Sequence, residues 1–317
     1  MYDRILSLKP DIAEVHCNRG VALVSLGRLE DAETAYRQAI ALNPSFANAH
    51  NNLGVVLCEI GKPYDAELAF RAAIKLKPKA PQPRLHLGFA LRRQSKFGDA
   101  EIAHRQAIAL DPGCGDAYTS LGDVLRCLGK FDEAEKALRH AIRLRPQSAD
   151  AFSKLGNTLR DQGKLGEAVS ACRRAVALDP NNAGAYYQLG AAFGNQGELI
   201  EAAAAYRRAI ALNPKFAGAY NDLGIALKHL GRLTEARQAV EQAIHLAPQN
   251  TLHFLNLGEV RSFSPGDPYL AAMEKAAENI LLLPTRQQIE LRFALAKAYE
   301  DVNRRNESFQ QLLAAKA

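Results

Sequence analysis

The chain has 317 residues, 48% of them apolar, with 40 Lys and Arg against 34 Asp and Glu for a formal charge of +6. The balance is mixed and no basic run stands out, so nucleic acid is not an expected partner. Five cysteines (Cys17, Cys58, Cys114, Cys127, Cys172), odd in number and without a C-x-x-C pair, fit neither a disulfide framework nor a zinc site; a reducing, cytoplasmic setting without membrane contact is expected, since no apolar run of about 18 residues offers a span.

Residues 1–12 match only the end of a helix, with Tyr2 and Ile5 at apolar positions and Pro10 closing it. Asp3, Arg4 and Lys9 interrupt the apolar core that a signal peptide needs. A first helix without its hairpin partner leaves an uncapped edge, through which self-association is expected.

From Pro10 the prolines step by 34 residues, through Pro44, Pro78, Pro112, Pro146, Pro180, Pro214 and Pro248. Glycines keep the same step from Gly20 to Gly258, and alanines from Ala32 to Ala236. Within a unit apolar residues recur at helical spacing, as in Phe152, Leu155, Leu159 and then Ala168, Cys172, Ala175, so each unit reads as two short amphipathic helices, A and B. A second glycine, as at Gly27 and Gly61, suits the left-handed position that closes helix A. An acid four residues on, as at Asp31 and Asp65, suits the first turn of helix B, and the proline ends that helix. The glycine of helix A is expected to face the alanine of helix B, letting two backbones approach closely.

Seven complete units are expected at 13–46, 47–80, 81–114, 115–148, 149–182, 183–216 and 217–250. The third departs most, with Arg84 and His104 where its neighbours place large apolar groups and Ser95 in place of glycine, so its local stability is expected to dip. Residues 251–288 form a degenerate eighth unit, in which Ser264 to Pro268 replaces the short turn. Residues 289–317 are expected to supply two capping helices.

The L-G pairs (Leu53-Gly54, Leu87-Gly88, Leu121-Gly122 and their successors), the helix B alanine and aromatic, and the closing proline resemble the tetratricopeptide repeat. The resemblance covers essentially the whole chain. It implies an all-α, right-handed superhelical solenoid of antiparallel helix pairs, with helices A lining a groove that binds a protein or extended peptide. The segments Ala47 to Gly54 and Ala219 to Gly224 resemble the repeat arm of O-linked N-acetylglucosamine transferases, in which an asparagine before L-G grips substrate backbone. Asn18, Asn52 and Asn256 match it here, whereas His86, Ser120, Lys154, Gln188 and Asp222 stand in the other units. Asn256 to Ala317 resembles the end of the array in bacterial proteins that carry a sulfotransferase or glycosyltransferase domain. The alternative function is therefore the substrate-recognition arm of such a transferase. The carboxylate clamp that holds chaperone tails is not matched, since Thr119 and Asp123, for example, stand where Lys and Asn are wanted.

No nucleophile, base and oxyanion donor converge in the pattern, so neither catalysis nor a cofactor or metal is expected. His16, His50 and His104 fall where the repeat buries an aromatic; His86 and His229 should face the groove without the spacing of a metal helix. The expected groove comprises Asn52, His86, Arg92, Arg93, Asp123, Arg126, Lys154, Asn157, Arg160, Gln188, Asn221, Asp222 and Lys228. Arg92, Arg126 and Arg160 recur at one position in three consecutive units, a basic strip suited to an acidic ligand, with Asp116, Asp123 and Asp161 alongside to neutralise part of it. Single-stranded RNA would need aromatic platforms, for which Phe89 and Tyr187 are the residues placed.

Overall fold

The computed structural model describes residues 9 and 11–316, so the helix end expected at Tyr2 and Ile5 lies outside the described residues. Every regular element among the described residues is helical, and the chain divides into two compact units, Met1–Gln162 and Gly163–Ala317. The first contains α1 (Ala13–Ser25), α2 (Leu29–Leu42), α3 (Ala47–Glu59), α4 (Pro63–Leu76), α5 (Pro81–Arg93), α6 (Phe97–Leu110), α7 (Gly115–Cys127), α8 (Phe131–Leu144) and α9 (Ala149–Asp161). The second contains α10 (Leu165–Leu178), α11 (Ala183–Gln196), α12 (Leu199–Leu212), α13 (Ala217–His229), α14 (Leu233–Leu246), α15 (Thr251–Val260), α16 (Pro268–Ala277), α17 (Thr285–Asp301) and α18 (Arg305–Lys316). In each unit helices A and B alternate, the first unit ending on the A helix α9 and the second beginning on the B helix α10, and each B helix lies against the next A helix of its unit.

Local chemistry sets the helix ends. Asn43, which follows α2, takes an extended backbone (φ −137°, ψ 90°) because the Pro44 ring disfavours helix at the residue before it. At the other turn Gly27 adopts φ 72°, and its equivalents behave alike, except that in the third repeat Ser95 is held at φ 59°. The left-handed region crowds a Cβ, so Ser95 carries strain that glycine would not.

The repeating glycine of helix A faces a large residue of helix B rather than the alanine. A Cβ on Gly54 would lie 2.5 Å from the Phe70 ring, one on Gly122 2.5 Å from Leu138, and one on Gly190 2.7 Å from Tyr206. The alanine four residues earlier is also buried, as Ala66 and Ala134 are, but it is the glycine that makes room for the larger side chain. Burying such a side chain is worth about 1.5–3 kcal/mol.

In the third repeat the residue opposite Gly88 is His104, wholly buried, with neither ring nitrogen hydrogen-bonded. Cys17, Tyr36, Leu57 and Phe70 share one apolar cluster, whereas around His104 the apolar residues group separately, as Leu91, Ala103 and Val124 and as Leu85, Ala107 and Ala117. Burial, with a smaller contribution from the nearby Arg92 charge, pushes the His104 pKa down from 6.5 to about 4. A second regularity holds the first unit together across its outer layer. Lys62 pairs with Glu33 at 3.2 Å, Lys96 with Glu67 at 3.0 Å and Lys130 with Glu101 at 2.8 Å, each tying one turn to the B helix of the preceding repeat.

The eighth repeat breaks the rule. Helix α15 stops at Val260, residues 261–267 form a loop, and α16 packs on α17 rather than closing on α15. Helix α17 lies on α15 through buried residues that include Leu291 and Leu295, and Thr251 donates to the buried Glu290 carboxylate at 2.7 Å. The terminal pair caps only in part: Ser308 donates to the Ala296 carbonyl at 2.8 Å, yet Phe309 and Leu313 stay exposed.

Two outcomes follow for the third repeat. Ser95→Gly should raise stability by about 1 kcal/mol through relief of the left-handed strain, seen as a higher urea midpoint at unchanged slope. His104 binds its proton more weakly folded than unfolded, so the stability tied to its neutral form is intact above pH 6.5 and is lost as pH falls from 6.5 toward 4, by about 3 kcal/mol at most. His104→Phe should abolish that part of the acid sensitivity, and hydrogen exchange over 81–110 should slow toward that of 47–76; an unchanged pH profile would show that His104 is not its source.

Candidate functional site

Successive A helices meet directly in the first unit, α1 with α3, α3 with α5, α5 with α7 and α7 with α9, so they form the inner layer of the stack. The residue after each repeat glycine lies on this layer. The column runs Val21, Val55, Phe89 and then Asp123 and Asn157, apolar in the first three repeats and polar in the next two. Val21 and Phe89 are exposed, as large apolar side chains of a folded core are not.

The expected basic strip is an alternating chain of charge. Asp123 lies 3.3 Å from Arg92 and 3.7 Å from Arg126, Arg126 donates to Asp161 at 2.9 Å, and Arg160 lies 3.6 Å from the same carboxylate. Three arginines thus share two aspartates on one wall, and their field on a ligand is largely cancelled. Asp116 takes no part, being paired with Arg145 at 2.6 Å, while Lys154 is held by Asp150 of its own helix at 2.5 Å. Asn157 is half-buried on α9, and its side-chain oxygen has no hydrogen-bond partner among the described residues.

Arg93 differs. Its guanidinium donates to the Cys58 carbonyl, and no carboxylate among the described residues pairs with it. Beside it a hollow of about 230 Å³ opens between α3 and α5, walled by Val55, Cys58, Glu59, Phe70, His86, Phe89, Arg92 and Arg93. Nδ1 of His86 lies 2.9 Å from the Asn51 side-chain oxygen, Asn51 donates to Asn52 at 3.4 Å, and burial holds the imidazole below its usual pKa, so the ring is a neutral wall. Burial likewise pushes the Cys58 thiol up, outweighing the Arg93 charge, which leaves it protonated at neutral pH.

In the second unit the predicted groups are largely occupied by one another. Asn256 donates to Asn221 at 2.8 Å, Asn221 to Asp222 at 3.0 Å, and the Tyr187 hydroxyl to Asp222 at 2.8 Å. Asn221 is 2% exposed, so it cannot grip a peptide backbone as expected. The Tyr187 ring is flanked by Tyr206 and Phe216, with centroids at 5.8 and 4.8 Å, and offers no free platform. Lys228 pairs with Glu259 at 2.7 Å, and Gln188 is half-buried on α11. A second hollow of about 290 Å³ includes Asn195, Tyr206, Asp222, Ile225 and His229. Val55, Glu59 and Phe89 were not among the expected groove residues, although the column of positions following L-G contains two of them.

Comparison with known proteins accords with this architecture. Residues 7–224 match the family model described as the cilia and flagella-associated protein 70 C-terminal domain, and residues 195–257 match a tetratricopeptide repeat model. The chain belongs to that tetratricopeptide-repeat family. No curated protein matches it. A tetratricopeptide repeat protein from Parabacteroides merdae ATCC 43184 is 15% identical over 78% of this chain and 98% of its own, with a TM-score of 0.64. The Cut9–Hcn1 hetero-tetramer of the APC/C is 17% identical over 99% of this chain and 58% of the matched one, with a TM-score of 0.62. YrrB, described as a TPR protein with an unusual peptide-binding site, is 25% identical over 58% of this chain and 95% of its own, with a TM-score of 0.45. The tetratricopeptide-repeat solenoid rests on the two family-model matches and on the helix pairs. Among the described residues no helix is long and apolar enough to cross a membrane, and no three His, Cys, Asp or Glu side chains cluster as metal ligands do.

Because Arg92 and Arg126 are tied to Asp123 and Asp161, reversing Arg92, Arg126 and Arg160 to Glu should destabilise the first unit as well as recharge it. Broken pairs and new like-charge contacts should cost about 2 kcal/mol, measured by urea denaturation, whereas Arg93→Glu should cost under about 0.5 kcal/mol.

Proposed function

We propose that the first unit of this tetratricopeptide-repeat scaffold binds an extended peptide across α3, α5 and α7, seating an apolar side chain in the hollow and an adjacent carboxylate on Arg93. The observation that carries the reading is the hollow's apolar wall beside an arginine that pairs with no carboxylate among the described residues, Glu59 being the acid that shares the hollow. An apolar side chain entering between Val55, Phe70 and Phe89 leaves water for an apolar wall, worth about 25 cal/mol per Å² removed from solvent. Arg93 supplies a forked donor for the carboxylate. The acidic ligand expected of the basic strip is thereby assigned to one arginine, and the Arg92–Asp161 chain serves to fix the wall.

The role is one of binding without turnover: the hollow's imidazole is neutral and its thiol protonated, and both are poor nucleophiles. The test is a random-peptide display selection on the full chain. Enriched peptides should carry a branched or aromatic apolar residue next to Asp or Glu, and Arg93→Glu and Val55→Trp should each weaken binding at least tenfold with the fold intact by circular dichroism. Peptides that bind both variants as well as the parent would sink the assignment, and transfer of sugar or sulfate from an activated donor by this chain would overturn the non-catalytic part.

A further inference from the structure

The eighth repeat contains a cleft of about 800 Å³, much larger than the hollow of the first unit. It exists because α16 stands off from α15, so the space that a B helix closes in the other repeats is left open between α14 and α16. Ile244, Phe254, Pro268 and Tyr269 line it, and Ile244 and Phe254 are themselves buried, so the floor is a finished apolar surface.

The opening is held rather than collapsed. Arg261 pairs with Glu241 of α14 at 3.3 Å and with Asp267, while Asp267 caps α16 by accepting from the Tyr269 backbone N–H at 2.9 Å. The same guanidinium lies 5.8 Å from the Tyr269 ring centroid. One arginine therefore fixes the start of α16 relative to α14, and the cleft between them is preformed.

The basic side chains on its rim are His245 on α14 and Lys275 on α16, both exposed and neither paired with a carboxylate among the described residues. No acidic side chain lines it. Its main walls are the helices α14 and α16, whose mid-helix amides and carbonyls are already bonded, with the turn at Pro248 and Gln249 at one end, and it has no strand edge to offer an extended backbone. An occupant must satisfy its own backbone and present an apolar stripe between acidic flanks.

We propose that this cleft is a docking site, separate from the inner face of the first unit, for an amphipathic α-helix of a partner protein with apolar residues at i, i+3, i+4 and i+7 and Asp or Glu on its flanks. The incoming helix supplies the apolar contacts that α16 does not make, and its carboxylates meet Lys275 and His245.

The experiment uses fluorescence anisotropy on the full chain with three synthetic helical probes: an acidic amphipathic peptide, its twin with Lys in place of Glu, and the acidic peptide broken by a central proline. The acidic helix should bind, and the basic twin and the broken peptide at least tenfold more weakly. Ala272→Trp, which fills the cleft from an exposed position on α16, and Lys275→Glu should each weaken the acidic helix at least tenfold, with Arg93→Glu leaving it unchanged. No binding of the acidic helix, equal binding of the basic twin, or insensitivity to both cleft variants would overturn the proposal. Loss of binding in Arg93→Glu with the cleft variants unaffected would do so as well, placing the peptide on the first unit.

Discussion

The stack depends on one steric fit. At 34-residue intervals a helix A glycine removes a Cβ from the place where a helix B side chain must lie, as Gly54 does for Phe70 and Gly190 for Tyr206. The helices of a pair then close on each other, and the large side chain reaches the core. Any Cβ at that position would overlap the ring, so the whole B helix would have to move, and with it the next A helix that packs on it. The proline and the left-handed turn residue are subordinate: they end helices at lengths that bring the glycine opposite its partner.

That fit explains what could be read from the sequence. Period, helix pairs and turns were legible because each rests on a local rule repeated many times. The partner of the glycine was not. Alanine and the large residue four positions later both recur with the glycine's period, and sequence spacing cannot say which of them lies under it. The basic strip had the opposite fate. Arg92, Arg126 and Arg160 were visible as a column, and Asp123 and Asp161 were visible beside it, but whether they formed pairs depended on the separation of neighbouring A helices. Once that separation is known, Asp123 lies between two arginines and the strip becomes a wall. Asn221 misled for a related reason: a polar residue on an inner helix looks available until Asn256, 35 residues later, proves to donate to it.

Charge is used in the first unit in two ways. Along the outer layer, Glu33, Glu67 and Glu101 receive lysines from the following turn. The Glu67 case shows how burial is offset: desolvation raises its pKa, but hydrogen bonds from Lys96 and Gln94 and the charge of Arg71 outweigh it and hold the carboxyl below its usual range. These pairs are individually small, yet each joins adjacent repeats, and in a quasi-one-dimensional stack the interface between neighbours governs how far an opening propagates. Along the inner layer the Arg92-to-Arg160 chain performs the same joining. Arg93, with which no carboxylate among the described residues pairs although Glu59 shares its hollow, is where the proposed ligand carboxylate is seated.

The departures from the repeat coincide with the places where binding is proposed. In the third repeat Phe89 is exposed on the inner layer, His104 replaces a large apolar group beneath it, and Ser95 strains the turn. The His104 and Phe89 rings lie edge to face with centroids 5.6 Å apart, so the buried imidazole with no hydrogen-bond partner is in direct contact with the exposed wall of the hollow. In the eighth repeat α16 withdraws from α15, and an open cleft results. A perfect repeat would be more stable at both positions, since phenylalanine at 104 and a closed B helix are what the other units use or approximate. Yet a perfect repeat would offer every ligand the same face eight times over, with no register to choose. Breaking the pattern costs stability locally, and the surrounding regular pairs tolerate it because each contacts only its neighbours. The irregular units are therefore the ones in which the proposed binding would tell one partner from another.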